Sequence, residues 1–246
     1  MQPFDPSATP GVPLYKEVKR RILAALAAGE WKAGGLVPSE KELCKVFAVS
    51  IGTLRKAIDE LVTENILIRH QGRGTFVVSH SRNHHFFHFF NITRHDGQKS
   101  YPTVELVRFS KAKADALACE KLGVAAGSKV FVIVNRLTLD GKQPIIDVIT
   151  LPEHLFPGLT EQQLRNRTNT LYNFYQENFG LNVIRTEEHV RATLANDELG
   201  GWLAIPAGTP LLQIGRSAYS YENQRVEWRL TYVNTDQYEY AVRPTH

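Results

Sequence analysis

The sequence predicts an α+β protein built in two parts, and three observations carry that prediction. Its first third sets out three helical stretches followed by two short strands around a glycine turn. The remainder runs as strands with helices between them, and part of it repeats itself. Its 246 residues, 43% hydrophobic and 22% charged, supply one large domain or two ordinary ones and exclude wholesale disorder.

The elements follow in chain order. Residues 1–12 hold Pro3, Pro6 and Pro10 with little apolar content, a flexible tail. Leu14, Val18, Ile22, Ala25 and Leu26 then share one helical face, and Gly29 ends that helix. Gly34 and Gly35 break the chain again. Ser39 with Glu42 three residues on, behind Pro38, is a capping box that starts a second helix, which ends near Phe47. A third begins at Ser50, carries Leu54, Ile58, Leu61 and Val62 inward and ends around Asn65. Residues 66–68 and 75–78 flank Gly72-Arg73-Gly74 as two strands and a tight turn. Three helices with a short turn, Ala48-Val49, before the third, followed by a hairpin, make a winged helix-turn-helix over residues 13–79.

Residues 80–100 crowd five histidines with Phe86, Phe87, Phe89 and Phe90, and read as a linker. The second domain spans 101–246. Residues 130–138 and 145–151 surround Asp140-Gly141, a strong hairpin signal. Residues 170–179 read as a helix stopped by Gly180, and 183–194, 211–219 and 226–233 as further strands.

Charge and composition narrow the function. Up to His80 there are 11 Lys and Arg against 8 Asp and Glu, a balance of +3, while the whole chain carries +4. The excess sits in the winged helix and suits a polyanion partner. No apolar run approaches the ~18 residues of a membrane helix, so no membrane partner is expected. Cys44 and Cys119 form no metal-type spacing and are too few for a disulfide framework, which points to a reducing cytoplasm.

The start of the third helix carries the residue types that reading a major groove requires. Ser50, Gly52 and Thr53 are small or polar, and Arg55 and Lys56 follow. Arg55 can give a guanine edge two hydrogen bonds, or it can pair with Asp59 four residues on as an ordinary surface ion pair. The turn Gln71-Gly72-Arg73-Gly74 can reach phosphate or a minor groove, or serve only as a turn.

In "PLYKEVKRRILAALAAGEW" and "VPSEKELCKVFAVSIGTLRKAIDELVTENILIRHQGRGTFV" the chain resembles the GntR family of bacterial transcription regulators over residues 13–78. The resemblance implies a homodimer on a pseudo-palindromic double-stranded operator. It also implies DNA contacts at Lys41, Ser50, Gly52, Thr53, Arg55, Gln71 and Gly72, with Arg73 at the wing tip. Ile51 and Gly52 stand where the family has an arginine after the capping residue. Ile51 can instead pack on a thymine methyl.

In the second domain, "AGSKVFVIVNRLTLDGKQPIIDV" parallels "AGTPLLQIGRSAYSYENQRVEW". Each places an arginine eleven residues before a carboxylate, Arg136 with Asp147 and Arg216 with Glu227. If the first hairpin turns at Gly141-Lys142, Arg136 faces Asp147, either as a structural ion pair or as a pocket for a charged ligand. "NRLTLDGKQPIIDVITLP", "TLYNFYQENFGL" and "VEWRLTYVNTDQYEY" resemble the UTRA ligand-sensing domain of the HutC-type subfamily, related in fold to chorismate lyase. That resemblance implies a small-molecule effector at Arg136, Asp147 and Glu227, with Arg229 and Tyr232 nearby. It also implies a closing loop around 91–95 that offers Thr93 and Arg94. The closing segment "VNTDQYEY" lacks the family's arginines, which disfavours a phosphosugar. No cofactor, metal site or catalytic residue is assigned, and a repressor is the expected role. Two alternatives stand beside it: a metal-responsive regulator using His80, His84, His85 and His88, and a chorismate-lyase-like enzyme.

Overall fold

A computed structural model describes residues 12–79, 90–97 and 101–241. The chain forms two compact units: 12–79 goes with 171–184 and 220–224, and the other described residues make up the second.

In the first unit α1 (Leu14–Ala27) buries Val18, Ile22, Ala25 and Leu26, while Leu14, expected on that face, is exposed at the helix start. The α2 helix (Glu40–Phe47) has the full capping box, with the Ser39 hydroxyl and the Glu42 carboxylate answering each other's backbone N–H. Ala48 takes the left-handed conformation and turns the chain into α3 (Ile51–Thr63), capped by Ser50. The third helix buries Leu54, Ala57, Ile58 and Leu61, with Val62 half-buried. Strands β1 (Leu67–His70) and β2 (Gly74–Val77) pair antiparallel as the wing. Tyr221, from a short 3-10 turn at Tyr221–Asn223, joins this core, and its hydroxyl accepts a 2.8 Å hydrogen bond from Asn182.

The second unit is a six-stranded antiparallel sheet. Its strands are β4 (Thr103–Lys113), β5 (Lys129–Leu139), β6 (Lys142–Pro152), β7 (Arg185–Leu194), β8 (Pro210–Tyr219) and β9 (Arg225–Val233). Their order, β4-β5-β6-β9-β8-β7, is mirrored about the β6/β9 seam. The repeat seen in sequence is longer in space. A strand, a helix capped by Asp115 or Asn196 and a hairpin recur as β4-α4-β5-β6 and β7-α7-β8-β9, with α4 at Ala116–Leu122 and α7 at Asp197–Leu203. Between the two copies come α5 (Glu161–Arg165) and α6 (Leu171–Phe179), and α6 groups with the first unit.

Within the segment read as a linker, Ile92–Arg94 forms strand β3, paired with β10 (Tyr238–Tyr240). Ile92 and Tyr238 bury themselves against Leu137, Ile145, Ile214 and Val233. That apolar anchor turns a polar-looking stretch into structure. Among the described residues no helix is long and apolar enough to cross a membrane.

Candidate functional sites

The first site lies on the winged helix. Lys41, Ser50, Gly52, Arg55, Gln71, Gly72 and Arg73 are all exposed, and Thr53 is half-buried. Ser50 Oγ accepts from the Thr53 N–H at 3.2 Å and meets Thr53 Oγ1 at 2.9 Å, so both hydroxyls sit at the helix start. A Cβ at Gly52 would touch only Ser50 Oγ, at 4.0 Å, which leaves an open surface there. Ile51, 44% exposed, stands beside it.

Arg55 does not pair with Asp59. Its Nε donates to Glu40 Oε2 on α2 at 2.8 Å, and Asp59 bonds Arg69 of β1 instead. Arg69 also lies 3.6 Å from Glu40, so a chain of alternating charge ties α2, α3 and the wing strand together. Glu40 holds the Arg55 guanidinium further above its ordinary pKa. The side chain stays 60% exposed and keeps donors for a base edge. A groove of about 740 Å³ between the wing and the start of α2 is lined by Glu40, Arg69, Gln71, Gly72 and Arg73.

The second site lies on one face of the six-stranded sheet. The hairpin turns at Asp140-Gly141, both with positive φ, not at Gly141-Lys142, and the ladder shifts between Leu137 and Leu139. Asn135 therefore faces Asp147, and Arg136 faces Ile146. A one-residue slip sends a side chain to the opposite face. The expected Arg136–Asp147 pair is not made. Arg136 pairs with Glu105 at 2.6 Å and reaches the Trp202 carbonyl at 3.5 Å. Tyr232, aligned with Ile146, shares that face, and burial raises its hydroxyl pKa.

Asp147, Glu227 and Arg229 do come together. Arg229 Nε and Nη2 donate to the two Glu227 oxygens at 2.9 and 3.0 Å, and Nη1 donates to Asp147 Oδ2 at 3.0 Å. Thr231 Oγ1 donates to the other Asp147 oxygen at 2.5 Å. The Glu227 side chain is 0% exposed. The second expected pair fails too: Arg216 stands opposite Arg229 and bonds Glu188 of β7 at 2.5 Å. The Tyr240 hydroxyl donates to Glu188, and Asn91 Nδ2 donates to both at 3.2 and 3.5 Å. Burial first, then the Glu188 carboxylate, pushes the Tyr240 pKa up.

Thr93 and Arg94 stand apart from this cluster. They lie on strand β3, where Arg94 is bound by Asp96 at 2.7 Å and Asp140 at 3.2 Å. Thr93 pairs in register with the exposed Glu239. Asn135, Glu188, Thr231 and Tyr240 were not expected in the site, and Asn91 was expected only as the start of the closing loop, not as a contact. Of its additional members only Arg216 carried a signal, through the repeat. His80, His84, His85 and His88 lie outside the described residues.

A winged helix with an exposed cationic recognition edge, joined to a twofold sheet that buries a charged cluster, defines a DNA-binding regulator with a sensing domain. Comparison with known proteins makes this specific. Residues 14–77 match the bacterial regulatory proteins of the gntR family, and residues 97–239 match the UTRA domain. The chain belongs to the GntR family of transcription regulators, in the group that carries a UTRA effector-binding domain. It is 31% identical over 213 residues, 87% of each chain, to the "Probable fructoselysine utilization operon transcriptional repressor" of Escherichia coli K12. To the mannosyl-D-glycerate transport/metabolism system repressor of the same organism it is 28% identical over 235 residues, 94% of this chain and 95% of that one. The ligand-binding domain of a GntR-family regulator from Bordetella bronchiseptica superposes with a TM-score of 0.62 at 27% identity, covering 63% of this chain and 97% of that one. The chain is thus a transcriptional regulator of the repressor type, with a DNA-binding half and an effector-binding half, and not an enzyme.

Proposed function

We propose that the protein is a cytoplasmic homodimeric repressor. It holds a pseudo-palindromic operator through two winged helices and lets go when a small metabolite binds the sheet face that carries Asp147, Glu227 and Arg229. One winged helix offers too little surface for a specific site, and twofold symmetry doubles it. Residues 13–79 read the DNA, and 101–246 together with strand β3 sense the effector. Lys41, Ser50, Gly52, Thr53, Gln71, Gly72 and Arg73 position the protein on the backbone and grooves, and Arg55 reads a base. The relatives' names join a sugar to lysine in one case and to glycerate in the other, which supports a polyhydroxylated, charged metabolite.

One observation carries the effector half: a half-buried arginine held by two buried carboxylates at the centre of a domain with no catalytic role. Such a cluster is costly to desolvate and stabilises the fold poorly, so a ligand is a better reason for it than stability. Release requires the ligand to bind two states unequally, with typical coupling of about 1–3 kcal/mol. Light scattering combined with an operator titration tests the assembly. A dimer that protects two half-sites is expected, and a monomer that binds one half-site at full affinity overturns it.

A further inference from the structure

The charge and hydrogen-bond balance around Asp147 names the chemistry of the effector. This rests on the proposal that the effector binds this sheet face. Among the described residues, the cluster has three carboxylates, Asp147, Glu188 and Glu227, against two guanidiniums, Arg216 and Arg229. Arg216 bonds Glu188, and Arg229 is shared by Glu227 and Asp147. Asp147 receives one donor on each oxygen, Arg229 Nη1 and Thr231 Oγ1. A carboxylate accepts about four hydrogen bonds, so roughly two sites on Asp147 remain.

Asn135 stands directly across the ladder from Asp147 on the same face. It is 2% exposed, and its Oδ1 is buried with no hydrogen-bond partner. A buried polar atom without a partner destabilises the fold, and one kept at a sensing face is a waiting contact. The Asp147 carboxylate and the Asn135 amide oxygen therefore share this face with acceptor capacity left over on each.

We infer that the effector presents an ammonium group to Asp147 and an adjacent hydroxyl or N–H to Asn135. It is a hydroxylated amine and not a sugar phosphate. An ammonium supplies three donors and a charge that the Asp147 carboxylate attracts, whereas a phosphate would bring acceptors and negative charge against that carboxylate and an amide oxygen. A hydroxyl suits Asn135 in either orientation of its amide, because it both donates and accepts.

Isothermal titration of the full chain with three compounds on one carbon skeleton tests this: 1-amino-1-deoxyfructose, fructose and fructose 1-phosphate. The amine is expected to bind at least about tenfold more tightly than fructose, and the phosphate more weakly than either. Asp147→Asn should erase the preference for the amine, and Asn135→Leu should weaken amine and fructose alike. Arg136→Met, on the opposite face, should keep the parent's preference. Cooperative thermal unfolding of each variant checks that it is folded. The ligand class is overturned if fructose 1-phosphate binds as tightly as the amine, if the amine does not exceed fructose, or if the amine shows no saturable binding at millimolar concentration. An affinity for the amine that stays at the parent's value in both Asp147→Asn and Asn135→Leu would instead put the effector on another surface and overturn the site itself.

Discussion

Replacing Arg229 with methionine removes one cation from between two buried carboxylates, and the structure sets how much that should cost. Glu227 takes two hydrogen bonds from Arg229 and has no solvent exposure, and Asp147 takes a third. Breaking a buried ion pair from one side costs about 3–5 kcal/mol, because the stranded charge keeps its desolvation penalty. Here one arginine answers two acids, so about 4 kcal/mol is a fair expectation at neutral pH. Urea unfolding of the second unit measures it in a Trp31→Phe background, which leaves Trp202 and Trp228, both in that unit, as the fluorophores. With a slope near 2 kcal/mol per molar urea, the midpoint should fall by about 2 M. Adding Glu227→Gln and Asp147→Asn to Arg229→Met removes the charges without the cavity and should recover most of the loss. A midpoint shift below about 0.5 M, or a charge-free triple variant no better than the single one, would refute the reasoning.

Arg55→Ala should cut discrimination between operator and random DNA by about 1–3 kcal/mol. Arg73→Ala should weaken both kinds of DNA evenly and flatten the salt slope by about one charge; equal losses on both DNAs for Arg55→Ala would reduce that arginine to a partner of Glu40. Glu17, buried on α1, has its pKa pulled down to about 2, chiefly by its hydrogen bond from Arg20. Its contribution is therefore full above the ordinary value of 4.5 and is lost as the pH falls from there toward 2. Screening at the exposed Arg20 holds it to about 1–2 kcal/mol, which an acid titration of the parent against Glu17→Gln reads directly. Gly215→Ala should destabilise the second unit by about 1–3 kcal/mol in chemical unfolding, because an added Cβ would lie 2.7 Å from Cη2 of the Trp228 indole.

The winged helix was legible because its signals are local. A capping box at Ser39 and Glu42, a helical stripe through Leu54, Ile58 and Leu61, and a glycine turn at the wing each need only neighbouring residues. The Asp140-Gly141 hairpin was legible for the same reason. Its register was not. The ladder irregularity between Leu137 and Leu139 leaves no mark in spacing, and one residue of slip put Arg136 on the wrong face. The partners of the acids on this face were hidden further still. Tyr240 and Asn91 meet Glu188 across 52 and 97 residues of chain, and no periodicity joins them. Asn135 drew no attention because an asparagine in a strand looks inert until the atom facing it is known.

The central claim is that one face of the sheet senses the effector and the other does not. Fluorescence anisotropy of a labelled operator, titrated with 1-amino-1-deoxyfructose, tests it most directly when the parent, Asn135→Leu and Arg136→Met are compared. Ligand-driven release should persist in Arg136→Met and shift to at least about tenfold higher ligand in Asn135→Leu. Release lost in Arg136→Met and retained in Asn135→Leu would place the sensor on the opposite face and contradict the account.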